Sequence, residues 1–120
     1  MNYLLFFILL YPQASTPEIP PVEAIIEQYE VLEAEVSAYT NSVEETDDTP
    51  NIMASGLTVY EGAIACPRRY PFKTIVEIED REYICEDRMN IRYENHFDIF
   101  MYNREEALAF GRRVLEVKVR

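Results

Sequence analysis

The sequence contains no tryptophan, one histidine, two cysteines and three glycines, and it has no lysine or arginine before Arg68. Each shortage closes off a class of function. One histidine and two cysteines, with aspartates scattered along the chain, lack the paired ligand spacing of a dependable zinc site. No metal or other cofactor is expected. Three isolated glycines do not make a phosphate-cradling loop, and no Ser-His-Asp nucleophile set is recognisable. The formal net charge is −11, whereas a nucleic-acid groove needs a basic face. No apolar run approaches the roughly 20 residues that a membrane-spanning helix requires.

What is present points to one globular domain. The chain has 120 residues, 48% of them hydrophobic and 28% charged, within the range of a single core. Charge is segregated. Glu23 to Asp48 carries nine acidic and no basic residues, whereas from Arg68 onward there are eleven of each. The acidic half reads as a solvated, solubilising segment joined to a nearly neutral body. At the N-terminus, "MNYLLFFILLYPQASTP" holds an unbroken apolar run from Leu4 to Leu10, then Pro12 and the small residues Ala14 and Ser15. It fits the apolar region of an export signal with a cut near Ala14, although no Lys or Arg precedes it. The alternative is a buried N-terminal strand. Export permits a disulfide, and Cys66 and Cys85 allow one internal bridge; free buried thiols or half a metal site remain the other readings.

The division expected is residues 1–15 as a signal peptide or hydrophobic segment, 16–30 as an acidic, Pro-rich linker, and 31–120 as the folded domain. In "VEAIIEQYEVLEAEV", Ile25, Ile26, Tyr29 and Leu32 have helical spacing, while Leu32, Ala34, Val36 and Ala38 alternate as in a half-buried strand. A short helix or coil giving way to a strand that ends near Thr40 is expected. "NSVEETDDTPN" is a polar loop. "GAIAC" reads as a short buried strand, "TIVEIED" and "REYICED" as a hairpin, and "HFDIFMY" as a further strand. "NREEALAFG" is the clearest helix, with Asn103 as N-cap, Glu106 in capping-box position and Gly111 as the stop. Ala107, Leu108 and Phe110 are its expected apolar contacts. In the last strand, Leu115, Val117 and Val119 face opposite to Val114, Glu116 and Lys118. Six short strands with so little helix favour a closed barrel.

Taken together, "VSAYTNSVEETDDTPNIMASG", "GAIACPRRYPFKT", "YICEDRMN", "HFDIFM" and "EEALAFGRRVLEVKV" resemble the 3D domain. That family is named for three aspartates and includes membrane-bound lytic transglycosylase A and the stationary-phase-survival muralytic enzymes. The resemblance runs from about Val36 to Val119. It implies an all-β fold, a six-stranded double-psi β-barrel with one short helix before the last strand. It implies an exported lytic transglycosylase-like protein whose partner is the glycan strand of peptidoglycan. Two of the three family aspartates match Asp87 and Asp98; Cys66 stands where the first would be, and Lys73 replaces a turn glycine. Asp87 and Asp98 are thus the catalytic candidates, Asp87 as acid/base. Tyr39 and Thr40 of "AYT", with His96 of "HFD", are substrate-binding candidates. Cys66 and Cys85 are candidates for a bridge bracing one mouth of the barrel.

An aspartic acid titrates near 3.9 when free, so to act as an acid near neutrality it must be raised by about 3 units. The apolar "YIC" before Asp87, and Asp98 if brought close, are the helpers expected. The bland alternative is salt bridging of the aspartates to Arg88, Arg92, Arg112 or Arg113. The departures at Cys66 and Lys73 favour a rival function, a barrel that binds glycan without cutting it. An interaction domain of a phage or cell-surface assembly is a third reading.

Overall fold

A computed structural model of the chain describes residues 29–41 and 51–120, together with Pro17 and Ile19. The apolar run at 4–10, the part of the expected short helix or coil that precedes Tyr29 and the acidic loop at 42–50 lie outside the described residues. Within them are β1 (Glu30–Tyr39), β2 (Ala63–Cys66), β3 (Ile75–Ile78), β4 (Arg81–Arg88), β5 (His96–Phe100), the helix α1 (Arg104–Phe110) and β6 (Arg113–Val119). β1 starts at Glu30, one residue ahead of the expected domain boundary. The strands close into a barrel in the order β1-β5-β2-β4-β3-β6, with β6 paired back to β1. The β1/β5 and β2/β4 pairs are parallel, and the rest are antiparallel. The expected fold, a closed six-stranded barrel with one short helix before its last strand, is the observed one. Closure leaves no long strand edge open to aggregation.

Alternation along each strand decides what is inside. Val36, Ile64, Val76, Phe97 and Val117 are fully buried in the barrel interior, and Ala34, Ile99 and Val119 join them. Val114, Glu116 and Lys118 point outward, as the spacing predicts. β2 is buried at all four residues because it is covered on both faces. Ile64 and Cys66 belong to the interior, while Ala63 packs outside the wall with Met53, Val59 and Phe100. Residues 51–62 therefore fold over the outer face of the wall. Ser55 and Gly56 lie in a turn of that cover, where Gly56 N donates to Met53 O.

The β3–β4 hairpin turns through Glu79 and Asp80, whose φ values are 51° and 64°. Two consecutive left-handed residues are what a two-residue turn needs to follow the strand twist. Arg113, at the start of β6, pairs with Glu79 of this turn. In α1, the Asn103 side chain accepts from the backbone N–H groups of Glu105 and Glu106, and Gly111 ends the helix at φ 65°. Ala107 is buried and Phe110 packs on the core, but Leu108 is 65% exposed, contrary to expectation. Ala107 and Phe110, three apart, define the inward face, and Leu108 lies about 100° round from Ala107.

Cys66 and Cys85 are joined, with an S–S distance of 1.99 Å and Cα atoms 5.7 Å apart. The bridge lies in the barrel interior and ties β2 to β4. Cys66 ends its strand, but Cys85 sits within β4 rather than at its end. Closing a loop with a separation of 19 residues stabilises by about 3 kcal/mol in the chain-entropy account. The Cys66→Ala/Cys85→Ala double variant should lose at least about that amount in urea titration. Asp80→Gly should gain about 0.5–1 kcal/mol in the same measurement, because glycine occupies the left-handed region without steric cost.

Candidate active site on the barrel wall

Asp87, Ala65, Asp98 and Ser37 form one row across β4, β2, β5 and β1. Ala65 is registered with Asp87 on one side and with Asp98 on the other, and Asp98 is registered with Ser37. Registered residues share a face of the sheet. The row lies on the outer face of the wall, since its strand neighbours Val36, Ile64 and Phe97 fill the interior. The site is therefore on the wall, not in the barrel mouth. Asp98 lies mid-strand, whereas Asp87 is next to the last residue of β4.

A bulge aims Asp87. Ile64 pairs with Cys85 but Ala65 pairs with Asp87, so Glu86 is the extra residue in β4. Without it, Cys85 and Asp87 would share a face. With it, Cys85 turns inward to the disulfide and Asp87 outward to the row. Glu86 itself is 1% exposed. Lys73 Nζ reaches both of its carboxylate oxygens at 2.5 Å, and the Tyr60 hydroxyl donates to it at 2.7 Å. A buried carboxylate without such partners would be strongly destabilising. Burial, then the Glu86 hydrogen bond, pushes the Tyr60 phenol above its ordinary range and keeps it a donor. Lys73 holds φ 73°, a glycine-like conformation, and its side chain is the partner of Glu86. Neither Glu86 nor Tyr60 was singled out by the sequence; an acid beside Asp87 at the end of a hydrophobic run was the only signal for Glu86.

Three donors converge on Asp87. Oδ1 accepts from the backbone N–H of Ala54 at 3.1 Å and of Arg88 at 2.9 Å. Oδ2 accepts from the Tyr39 hydroxyl at 3.0 Å. Asp98 Oδ1 accepts from the Ser37 hydroxyl at 2.9 Å. Ser37 and Tyr39, two apart on β1, thus present one hydroxyl to each aspartate. Burial, then the charge and hydrogen bond of Asp87, then the charge of Asp98, hold the Tyr39 phenol far above its ordinary range. Tyr39 therefore stays protonated between the two carboxylates.

The salt-bridge alternative fails for Asp87. The Arg88 guanidinium stacks 4.0 Å over Phe72 and donates to Tyr70 O and Arg68 O. Arg92 lies over Tyr93, Arg112 pairs with Glu35 at 3.0 Å, and Arg113 pairs with Glu79. Among the described residues, no Lys or Arg side chain pairs with Asp87. Of the apolar shield expected from "YIC", Tyr83 and Cys85 face the interior, and Ile84 lies on the outer face registered with Ala63, two residues along β2 from the row. Cys66 also faces the interior, in the disulfide. Ala65 is the side chain between the two aspartates, so position 65 is where a third carboxylate would join them.

Of the substrate-binding candidates, Tyr39 is half-buried at the site, while Thr40 is 1% exposed, with its side chain turned away from solvent. His96 is 5% exposed. Its Nε2 lies 2.9 Å from Ser37 Oγ, and Glu35 Oε2 stands 3.5 Å from Nδ1, outside bonding geometry. Among the described residues, no group of three His, Cys, Asp or Glu is arranged to hold a metal ion. No protein-family model and no curated protein matches the chain.

Burial lowers the His96 pKa, with Glu35 opposing that shift and Arg112 adding to it. The folded protein thus binds this proton less readily than the unfolded chain does. The resulting stability is complete above the unfolded value, near 6.5, and is lost as pH falls toward the folded value. The melting temperature should drop between about pH 7 and pH 5. His96→Gln should flatten that part of the profile in scanning calorimetry, whatever its effect at pH 7.

Proposed function

We propose that the protein is an exported muralytic enzyme of the lytic transglycosylase type, acting on peptidoglycan glycan strands as a member of the 3D domain family. The observation that carries this reading is the pair Asp87 and Asp98 on one outer face, with Asp87 clear of arginine and its two oxygens held differently. Backbone N–H groups can only donate, so Oδ1 is an obligatory acceptor. A proton on this carboxyl resides on Oδ2, opposite a Tyr39 hydroxyl that can also accept. Asp87 gives that proton to the oxygen bridging N-acetylmuramic acid and N-acetylglucosamine. The muramic 6-hydroxyl attacks its own anomeric carbon and returns its proton to Oδ2. A 1,6-anhydro product forms, and no water is consumed. The Asp98 carboxylate lies about two strand spacings along the wall, roughly 10 Å at the backbone, and supports the positive charge developing at the sugar.

The export reading and the 3D family both remain part of the proposal, resting on "LLFFILL" and the motifs around Asp87 and Asp98. A glycan-binding barrel without cleavage is the second reading. It is favoured by Ala65, which stands between Asp87 and Asp98 where a third acid would complete the row. Purified sacculi should release 1,6-anhydro muropeptides with the wild-type protein. Asp87→Asn should lower that release by about 100-fold or more while retaining sedimentation with sacculi. Sedimentation without any release by the wild type would establish the binding reading instead.

A further inference from the structure

The structure aligns three groups that the proposed reaction does not use directly: Ser37, His96 and Glu35. Ser37 Oγ lies 2.9 Å from His96 Nε2, and Glu35 Oε2 stands 3.5 Å beyond Nδ1. The order hydroxyl, imidazole, carboxylate is that of an activated serine nucleophile. Whether it works as one depends on a single proton.

Ser37 has one hydroxyl proton, and Asp98 Oδ1 also lies 2.9 Å from it. A carboxylate accepts only, so that proton is committed to Asp98. Ser37 can then meet His96 Nε2 only as an acceptor, and Nε2 must carry hydrogen. The opposite arrangement, with Ser37 donating to a bare Nε2, would strip Asp98 of this donor. It would also gain no bond at Nδ1, which has no hydrogen-bond partner.

We infer that His96 is an Nε2–H imidazole that orients Ser37, so that the chain His96–Ser37–Asp98 positions the second aspartate and Ser37 is not a nucleophile. His96 and Ser37 are positioning residues, reaching substrate only through Asp98. The burial of His96, at 5% exposure, removes it from direct sugar contact. Any further protonation takes place at Nδ1, which faces Glu35 of β1 and, through it, Arg112 of the α1–β6 link. Tyr93 covers the ring from the preceding loop at 5.3 Å. The Nε2–Ser37–Asp98 direction is unchanged by that event.

The role of Asp98 rests on the proposed function, but the proton on Nε2 does not, and the two are tested separately. His96 is the sole histidine, so a long-range 1H–15N spectrum of the full chain reports it alone. At about pH 8, above the ordinary histidine range, the neutral ring should carry hydrogen on Nε2 and a bare Nδ1. Hydrogen on Nδ1 with a bare Nε2 would overturn the inference and make Ser37 a nucleophile candidate. If sacculi are cleaved, Ser37→Ala should lower kcat about tenfold, the scale of one charge-assisted hydrogen bond, with KM unchanged. Ser37→Thr, which keeps the hydroxyl, should recover the rate; failure of the threonine to recover it while the protein stays folded would count against the positioning role. Absence of cleavage by the wild type would overturn the proposed function and leave the tautomer result standing.

Discussion

One extra residue in β4 decides which side of the barrel wall Asp87 faces. Cys85 and Asp87 are two apart, and in an unbroken strand their side chains would point the same way. The shift that pairs Ile64 with Cys85 and then Ala65 with Asp87 leaves Glu86 unopposed. Cys85 goes to the interior disulfide and Asp87 to the outer row. The bulge has its own anchor. Lys73 and Tyr60 hold the buried Glu86 carboxylate, and Ser55 N donates to Glu86 O at 2.9 Å. These partners fix the bulge from the covering segment and from the turn before β3 at once. The disulfide, the bulge and the site are therefore one mechanical unit.

β1 completes the site from the other side. Its even positions, Ala34 and Val36, fill the core, while Ser37 and Tyr39 extend hydroxyls to Asp98 and Asp87. The same alternation that buries the barrel interior also sets out the polar row. Orientation on a rigid wall limits the freedom of both carboxylates more than a loop would. The 51–62 segment adds a backbone donor, Ala54 N, which no side-chain pattern could announce.

Much of the fold was legible before the structure. The alternation in the last strand, the buried "AIAC", the β3–β4 hairpin and the Asn103-capped helix all follow from local periodicity and capping chemistry. Leu108 was misplaced because a helix of seven residues has room for only one inward stripe, and neighbouring apolar residues compete for it. The aspartates were legible as candidates through a family resemblance. Their partners Ser37 and Ala54, the bulge residue Glu86 and Glu35 beside His96 were not, because each acts across 33 or more residues of sequence or through backbone or a register shift.

The amino-acid sequence by itself pointed to six strands, to the inward faces of β1 and β6 and to the helix before β6, since each depends on side chains within a few positions of one another. It also determined that only one disulfide could form. Tertiary structure alone decided that Asp87 and Asp98 flank Ala65, that four arginines turn away from Asp87, and that one histidine stands behind a serine. Those outcomes come from strand order and one unpaired residue, and a register shift changes the facing of every side chain beyond it.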